Sequence, residues 1–190
     1  MDNRVLQIQN RSCRVYGTAG AEYLLLQMVD EHDLAGMERE VEAIRRQTAH
    51  PFLLVAIPVE NWNDDLSPWS APPAWGRQGF GGRAGDTLAW LEQAVPGIRQ
   101  QYSIKDDCKV ILGGYSLAGL FALWAATQTN ALYGVAAASP SVWFPAGQNT
   151  KRRTLSKRSV FTSALVTARN IPKIRLWRRW AITSAPCTAP

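Results

Sequence analysis

Apolar residues fall in short unbroken runs, separated by stretches with helical spacing. "EYLLLQMVD" (22–30) and "PFLLVAIPV" (51–59) each have the length of one buried strand, and prolines bound the second. Between them, "HDLAGMEREVEAIRRQ" (32–47) puts Leu34, Met37, Val41 and Ile44 on one face. That spacing predicts a helix, with Asp33 as its N-cap and Arg45 and Arg46 where the helix dipole favours cations. "DTLAWLEQAVPGIRQQY", opened by Asp86, predicts a second helix, broken or kinked near Pro96. "CKVILGG" reads as a third strand, "LAGLFALWAATQT" as a helix, and "LYGVAAASPSVWF" as a fourth strand running into a loop. Residues 60–85, rich in Pro, Gly and Trp, read as a long ordered loop of the kind that either carries function or covers a core edge. The alternation of strand and helix builds a parallel sheet covered on both faces.

Composition changes little in that picture. A chain of 190 residues with 46% hydrophobic positions and eight tryptophans has the makings of one domain with a real core. No run reaches the roughly 18 apolar residues a membrane helix needs. The first twenty residues carry Arg4, Arg11 and Arg14 and no apolar core, so neither a secretory signal nor membrane association is expected. Cys13, Cys108 and Cys187 are widely spaced and odd in number, which fits no zinc pattern and no disulfide framework. Reduced thiols in a cytoplasmic protein, without metal or cofactor, are the expectation.

Charge divides the chain. All 15 acidic residues lie at or before Asp107, and the residues to 148 balance to −4. From Lys151 to the end there are ten basic residues and no acidic one. The overall +6 is therefore a property of the tail, and it raises nucleic-acid binding as one reading.

The pointed chemistry is in "ILGGYSLAGLFALWAA" (111–126). Ser116 sits between a strand and a helix, with Gly114 and Ala118 two positions away on either side. A nucleophile elbow needs this setting, because the sharp turn leaves room only for small neighbours. It lifts the hydroxyl above the carboxyl end of the sheet, where the Leu117 N–H at the helix start can stabilise an oxyanion. The bland alternative is a glycine-rich turn with Ser116 as an ordinary cap. A P-loop is excluded, since no Gly-Lys-Ser/Thr follows, and no G-x-G-x-x-G fingerprint is present.

"GGYSLAGLFALWAA", "SPSVWFP" and "FLLVAIPVENWNDDLSPWSAP" together resemble the esterase family of α/β-hydrolases that includes enterochelin-esterase-like and esterase D-like enzymes. The resemblance covers roughly residues 20–147. It implies a three-layer α/β-hydrolase fold with a mostly parallel sheet, and hydrolysis of a small carboxylic ester through an acyl-serine at Ser116. It also implies Leu117 as one oxyanion donor and a second donor near Glu31 and His32. Trp62, Trp69 and Trp75 of the 60–85 loop, with Tyr115, are the expected substrate-pocket residues.

A serine nucleophile needs a base, and in this fold the order is serine, then acid, then histidine. The chain has two histidines, His32 and His50, both upstream of Ser116, and no acid after Asp107. His50, before Pro51, reads as a surface turn residue, and His32 as part of a helix start. The tail accounts for the missing partners. "IRLWRRWAIT" (174–183), given permitted codons and read from one base earlier, spells "NPVMAAVGDH", and "FTSALVTARNIPK" spells "VYLSLGDREEHTKN". Both resemble what family members carry at this point. The expectation is a frame slip between about Pro145 and Phe161, dividing the chain into an esterase-like core at 1–147 and a basic, disordered tail at 148–190. The last strand or strands and a helix would then be missing or scrambled, leaving a marginally stable, aggregation-prone chain with an abandoned sheet edge. On this reading the chain is a serine esterase by descent, inactive for want of its acid and histidine. The rivals are a non-catalytic ligand-binding protein and, behind it, a nucleic-acid binder acting through the tail. Oligomeric state is not legible.

Overall fold

The computed structural model describes residues 3–74, 76–145 and 160–161. In chain order the strands are β1 (Asn3–Ile8), β2 (Arg11–Gly17), β3 (Tyr23–Val29) and β4 (Phe52–Pro58), with helix α1 (Glu31–Arg45) between the last two. A single turn α2 (Trp62–Asp65) and a small ribbon of β5 (Ser70–Ala71) and β6 (Phe80–Gly81) lead to α3 (Ala84–Gln101). Then come β7 (Lys109–Tyr115), α4 (Leu117–Gln128), β8 (Gly134–Ala138) and β9 (Val160–Phe161).

The main sheet runs β1-β2-β4-β3-β7-β8-β9. β3, β4, β7, β8 and β9 are mutually parallel, whereas β2 pairs antiparallel with both β1 and β4. The central strands read as continuous apolar runs because both their faces are covered. Along β3, Leu24, Leu26 and Met28 join the core that holds Leu88, Leu91 and Ile98 of α3 and Phe121 and Ala122 of α4. Tyr23, Leu25 and Val29 point the other way, into a second core with Met37, Val41 and Ile44 of α1. Three layers result, as the apolar periodicity predicts.

Several local expectations are corrected. The first twenty residues form the β1–β2 hairpin, whose register pairs Asn3 with Tyr16 and Ile8 with Arg11. Its alternation is masked because arginines stand in the inward-facing rows, Arg4 in line with Leu6 and Ile8 and Arg11 in line with Cys13 and Val15, while Leu6, Ile8, Cys13 and Val15 turn into the core. The N-cap of α1 is Asp30, not Asp33: the Asp30 carboxylate accepts the Asp33 backbone N–H at 2.6 Å. α3 is not broken at Pro96 but continues through it. Pro96 lies on the exposed side of α3, beside the buried Ala94 and Ile98, so the backbone carbonyl it leaves unpaired is on the water side. β9 falls within the segment expected to be tail, and pairs Val160 and Phe161 with Val135 and Ala136 of β8. The remaining residues from 146 onward, with Cys187 and the basic run, lie outside the described residues.

Cys13 and Cys108 are free and buried. Burial pushes the Cys13 thiol up to about 11, and it raises that of Cys108 as well. Cys13 is therefore protonated at neutral pH, and it is expected to resist alkylation near pH 8 until the chain is unfolded. Because the folded state holds that proton more tightly than the unfolded chain, stability declines as pH rises from about 9 through 11. Thiol titration with and without denaturant, and melting at pH 8 and pH 10, check both statements.

Candidate active site

β7 ends at Tyr115, α4 begins at Leu117, and Ser116 is the residue between them. Its backbone adopts φ 56° and ψ −115°, a left-handed conformation that L-residues other than glycine rarely hold. The turn is clamped from three sides. The Ser116 N–H donates to the Ala138 carbonyl at 3.0 Å, while its own carbonyl accepts from Leu120 N at 3.1 Å and Ser141 N at 3.0 Å. A Cβ on Gly114 would stand 2.5 Å from the Ala118 Cβ and 2.6 Å from its carbonyl carbon. One on Gly119 would stand 3.1 Å from the Gly114 carbonyl oxygen. The small residues on either side of Ser116 are thus a steric requirement of this turn.

The Ser116 side chain is partly exposed, at the carboxyl ends of the parallel strands. Among the described residues, its hydroxyl has the Ser141 hydroxyl as its hydrogen-bond partner, Oγ to Oγ at 3.1 Å. Leu117, buried, opens α4, so its N–H has no acceptor within the helix. β3 and β7 run parallel side by side, so α1 starts from the same end of the sheet as α4. His32, exposed, is the second residue of α1. That places its backbone N–H in the first turn of a neighbouring helix.

His50 is at the wrong end. Its Nδ1 lies 3.0 Å from Glu22 Oε2, and its ring meets that of Tyr23, which pairs with Lys109 at the start of β7. Ser116 is seven residues further along that strand, about 20 Å away at ~3.3 Å per residue. An open cleft of about 440 Å³ lined by Arg99, Lys109 and Tyr133 also belongs to that far end. Among the described residues, no group of three or more His, Cys, Asp and Glu is placed to hold a metal ion. No helix among them is long and apolar enough to cross a membrane.

The structure brings one of the expected pocket residues, Trp69, together with the loop after β8. Trp69 donates its indole N–H to the Pro145 carbonyl at 2.7 Å and packs against Phe144. Phe80 meets Phe144 edge-on at 4.9 Å and Trp143 at 6.2 Å. Tyr115 is 43% exposed beside Ser116, and Trp143 is 47% exposed on the adjoining loop. Trp62 opens α2 and packs partly buried on the larger core. Trp75 lies outside the described residues. Ser141 was not singled out from the sequence, although "SPSVWFP" was. The available signal was its position just past the end of β8, at the edge of the sheet where α/β folds place their sites.

A strand–serine–helix elbow on a sheet of this order defines the α/β-hydrolase class. The chain belongs to the "Putative esterase" family, whose model matches residues 10–177. That match extends past residue 147, where the motif resemblance stops, and it includes β9. Solved structures are similar in fold. An IroE-like serine hydrolase from Shewanella oneidensis has a TM-score of 0.62 at 19% identity, over 75% of this chain and 52% of that one. The BES protein from Bacillus cereus has 0.58 at 19% identity, over 75% and 62%. The siderophore hydrolase EstA from Aspergillus nidulans has 0.56 at 20% identity, over 74% and 56%. The chain thus spans between about half and three-fifths of the length of these structures. No curated protein sequence matches it.

Proposed function

We propose that this chain carries the acyl-accepting half of a serine esterase. Ser116 is its nucleophile, the backbone N–H groups of Leu117 and His32 its oxyanion donors, and a small carboxylic ester its substrate. The observation that carries this reading is the left-handed backbone of Ser116 between a strand and a helix, with a Cβ forbidden at Gly114. A serine that only capped a helix would not need that strain. Family membership and neighbours described as serine or siderophore hydrolases support the same class of chemistry. Trp62, Trp69 and Tyr115 supply an apolar wall for the acyl or alcohol group, and a reducing cytoplasm suits the buried free thiols.

The chemistry stops half-way. Ser116 attack forms the Oγ–acyl bond and breaks the ester C–O bond; in the absence of a histidine partner the serine proton passes to solvent hydroxide, and the departing alkoxide takes its proton from water. Deacylation needs an activated water, and no acid or histidine follows Asp107. We attribute that to a shifted reading frame in the basic segment, with the esterase core at 1–147 and residues 148–190 as its tail. The family match to residue 177 overlaps this segment, so the slip lies within the match or is bridged by it. The nucleotide sequence around codons 145–161, translated in the neighbouring frame, decides the matter: an open frame leading to a histidine motif supports the slip, and stop codons there contradict it.

With p-nitrophenyl acetate, the chain is expected to release about one p-nitrophenolate per molecule and then stop. The residual rate enhancement is on the order of 10³-fold over water, from the oxyanion donors and binding alone. Ser116→Ala abolishes the one-equivalent release that passes through the acyl-serine. Release unaffected by Ser116→Ala would overturn the assignment. Ligand binding that survives Ser116→Ala, with no acylation of the unsubstituted chain, would favour a non-catalytic binding protein instead.

A further inference from the structure

We propose that Ser141 is a positioning residue for Ser116, its hydroxyl donating a hydrogen bond to the nucleophilic oxygen. The inference rests on the reading of Ser116 as the acyl acceptor. Ser141 is 1% exposed, and among the described residues its hydroxyl meets one partner, the Ser116 hydroxyl, at 3.1 Å. A buried hydroxyl must place its proton on some acceptor. If Ser141 donates to Ser116, the Ser116 proton is left free to depart, and the Ser141 O–H faces the negative charge that gathers on Oγ as the proton leaves.

The backbone holds Ser141 in that place. Its N–H donates to the Ser116 carbonyl, and its carbonyl accepts from Phe144 N at 3.0 Å. The preceding Ser139 adopts φ 42°, a second left-handed non-glycine residue within this site. Phe144, in turn, is pinned by Phe80 and Trp69. The long loop of residues 60–85 therefore reaches the nucleophile through two intermediate residues, Phe144 and then Ser141. Strain at Ser116, at one end of the Oγ–Oγ contact, and at Ser139, two residues before the other end, is the arrangement expected of a geometry kept for reactivity.

The test is the rate of Ser116 acetylation by p-nitrophenyl acetate, followed by peptide mass from pH 7 to pH 10. The chains compared are the unsubstituted one, Ser141→Ala, Ser141→Cys and Ser141→Thr. Removing the donor is expected to slow acetylation about tenfold, the worth of one hydrogen bond to a group becoming charged. It also moves the rise of rate with pH upward, a displacement that loosened packing alone does not produce. Ser141→Thr keeps the hydroxyl and recovers most of the rate and the original pH profile. Should Ser141→Ala not fold, Ser141→Cys gives the same comparison with a weak donor in place of a strong one. Acetylation of the Ala or Cys variant at the unsubstituted rate and pH profile overturns the role of Ser141 and leaves Ser116 standing. A Thr variant as slow as Ala overturns it too. Absence of acetylation at Ser116 in the unsubstituted chain overturns the nucleophile, and the positioning role with it.

Discussion

Gly114→Ala is expected to cost about 2 kcal/mol of stability and to suppress Ser116 acylation on the order of 100-fold. The added methyl would lie 2.5 Å from the Ala118 Cβ, 2.6 Å from the Ala118 carbonyl carbon and 2.7 Å from its oxygen. Two of those three atoms are backbone, in the first turn of α4, so no side-chain rotation relieves the contact. Either α4 moves away from β7 or the turn at Ser116 opens. Both displace Oγ from the Leu117 N–H, and a misplacement near 1 Å is enough for a loss of that order. At this chain length the stability change corresponds to about 4–8 °C in melting temperature. A scan of melting temperature beside an acetylation time course separates the two effects. Unchanged values in both would show that the turn tolerates a side chain at position 114.

Phe121→Ala is expected to be the more damaging to the fold, at about 3–5 kcal/mol. Phe121 is fully buried on the sheet-facing side of α4, in the core with Leu112 of β7 and Val135 of β8. The residues around it include Ala118, Ala122 and Ala125, which have no length with which to fill the space a lost ring would leave. The helix that carries Leu117 and braces Ser116 would then rest on a cavity. Urea titration is the measurement: a midpoint shifted by less than the equivalent of 1 kcal/mol would mean that this face of α4 is not packed as described. Conservative replacement by Leu returns most of the loss.

What could be read in the sequence follows from which residues carry a strong, local signal. The runs at 22–30 and 51–59 are apolar on both faces, so they declare buried strands even without their neighbours. The 3–4 spacing of Leu34, Met37, Val41 and Ile44 likewise marks the face of α1 that enters the second core. Ser116 was legible because its turn restricts residues 114 and 118 as well as 116. The β1–β2 hairpin was not: Arg4 and Arg11 interrupt the rows that carry Leu6, Ile8, Cys13 and Val15, and Tyr16 is buried on the opposite face directly after Val15. Asp30 and Asp33 are equally good caps by residue type, and only the extended backbone of Asp30 distinguishes them. Ser141 was hidden for a different reason. Nothing in local sequence shows that the loop after β8 folds back by hydrogen bonds onto the carbonyl and hydroxyl of a residue 25 positions earlier. The far-end position of His50 was equally a matter of strand order, since β4 and β3 had first to be placed beside β7.

The proposal made for Ser116 has two halves, that it is a reactive nucleophile and that its acyl group is not released. Peptide mapping by mass spectrometry after brief exposure to p-nitrophenyl acetate addresses both halves together. The account predicts a single acetyl group on the peptide containing Ser116, absent from Ser116→Ala, which persists after the reagent is removed. Continuous Ser116-dependent turnover with no standing acetyl group would mean that a base reaches this serine after all, and an unmodified Ser116 would mean that the elbow is not a nucleophile.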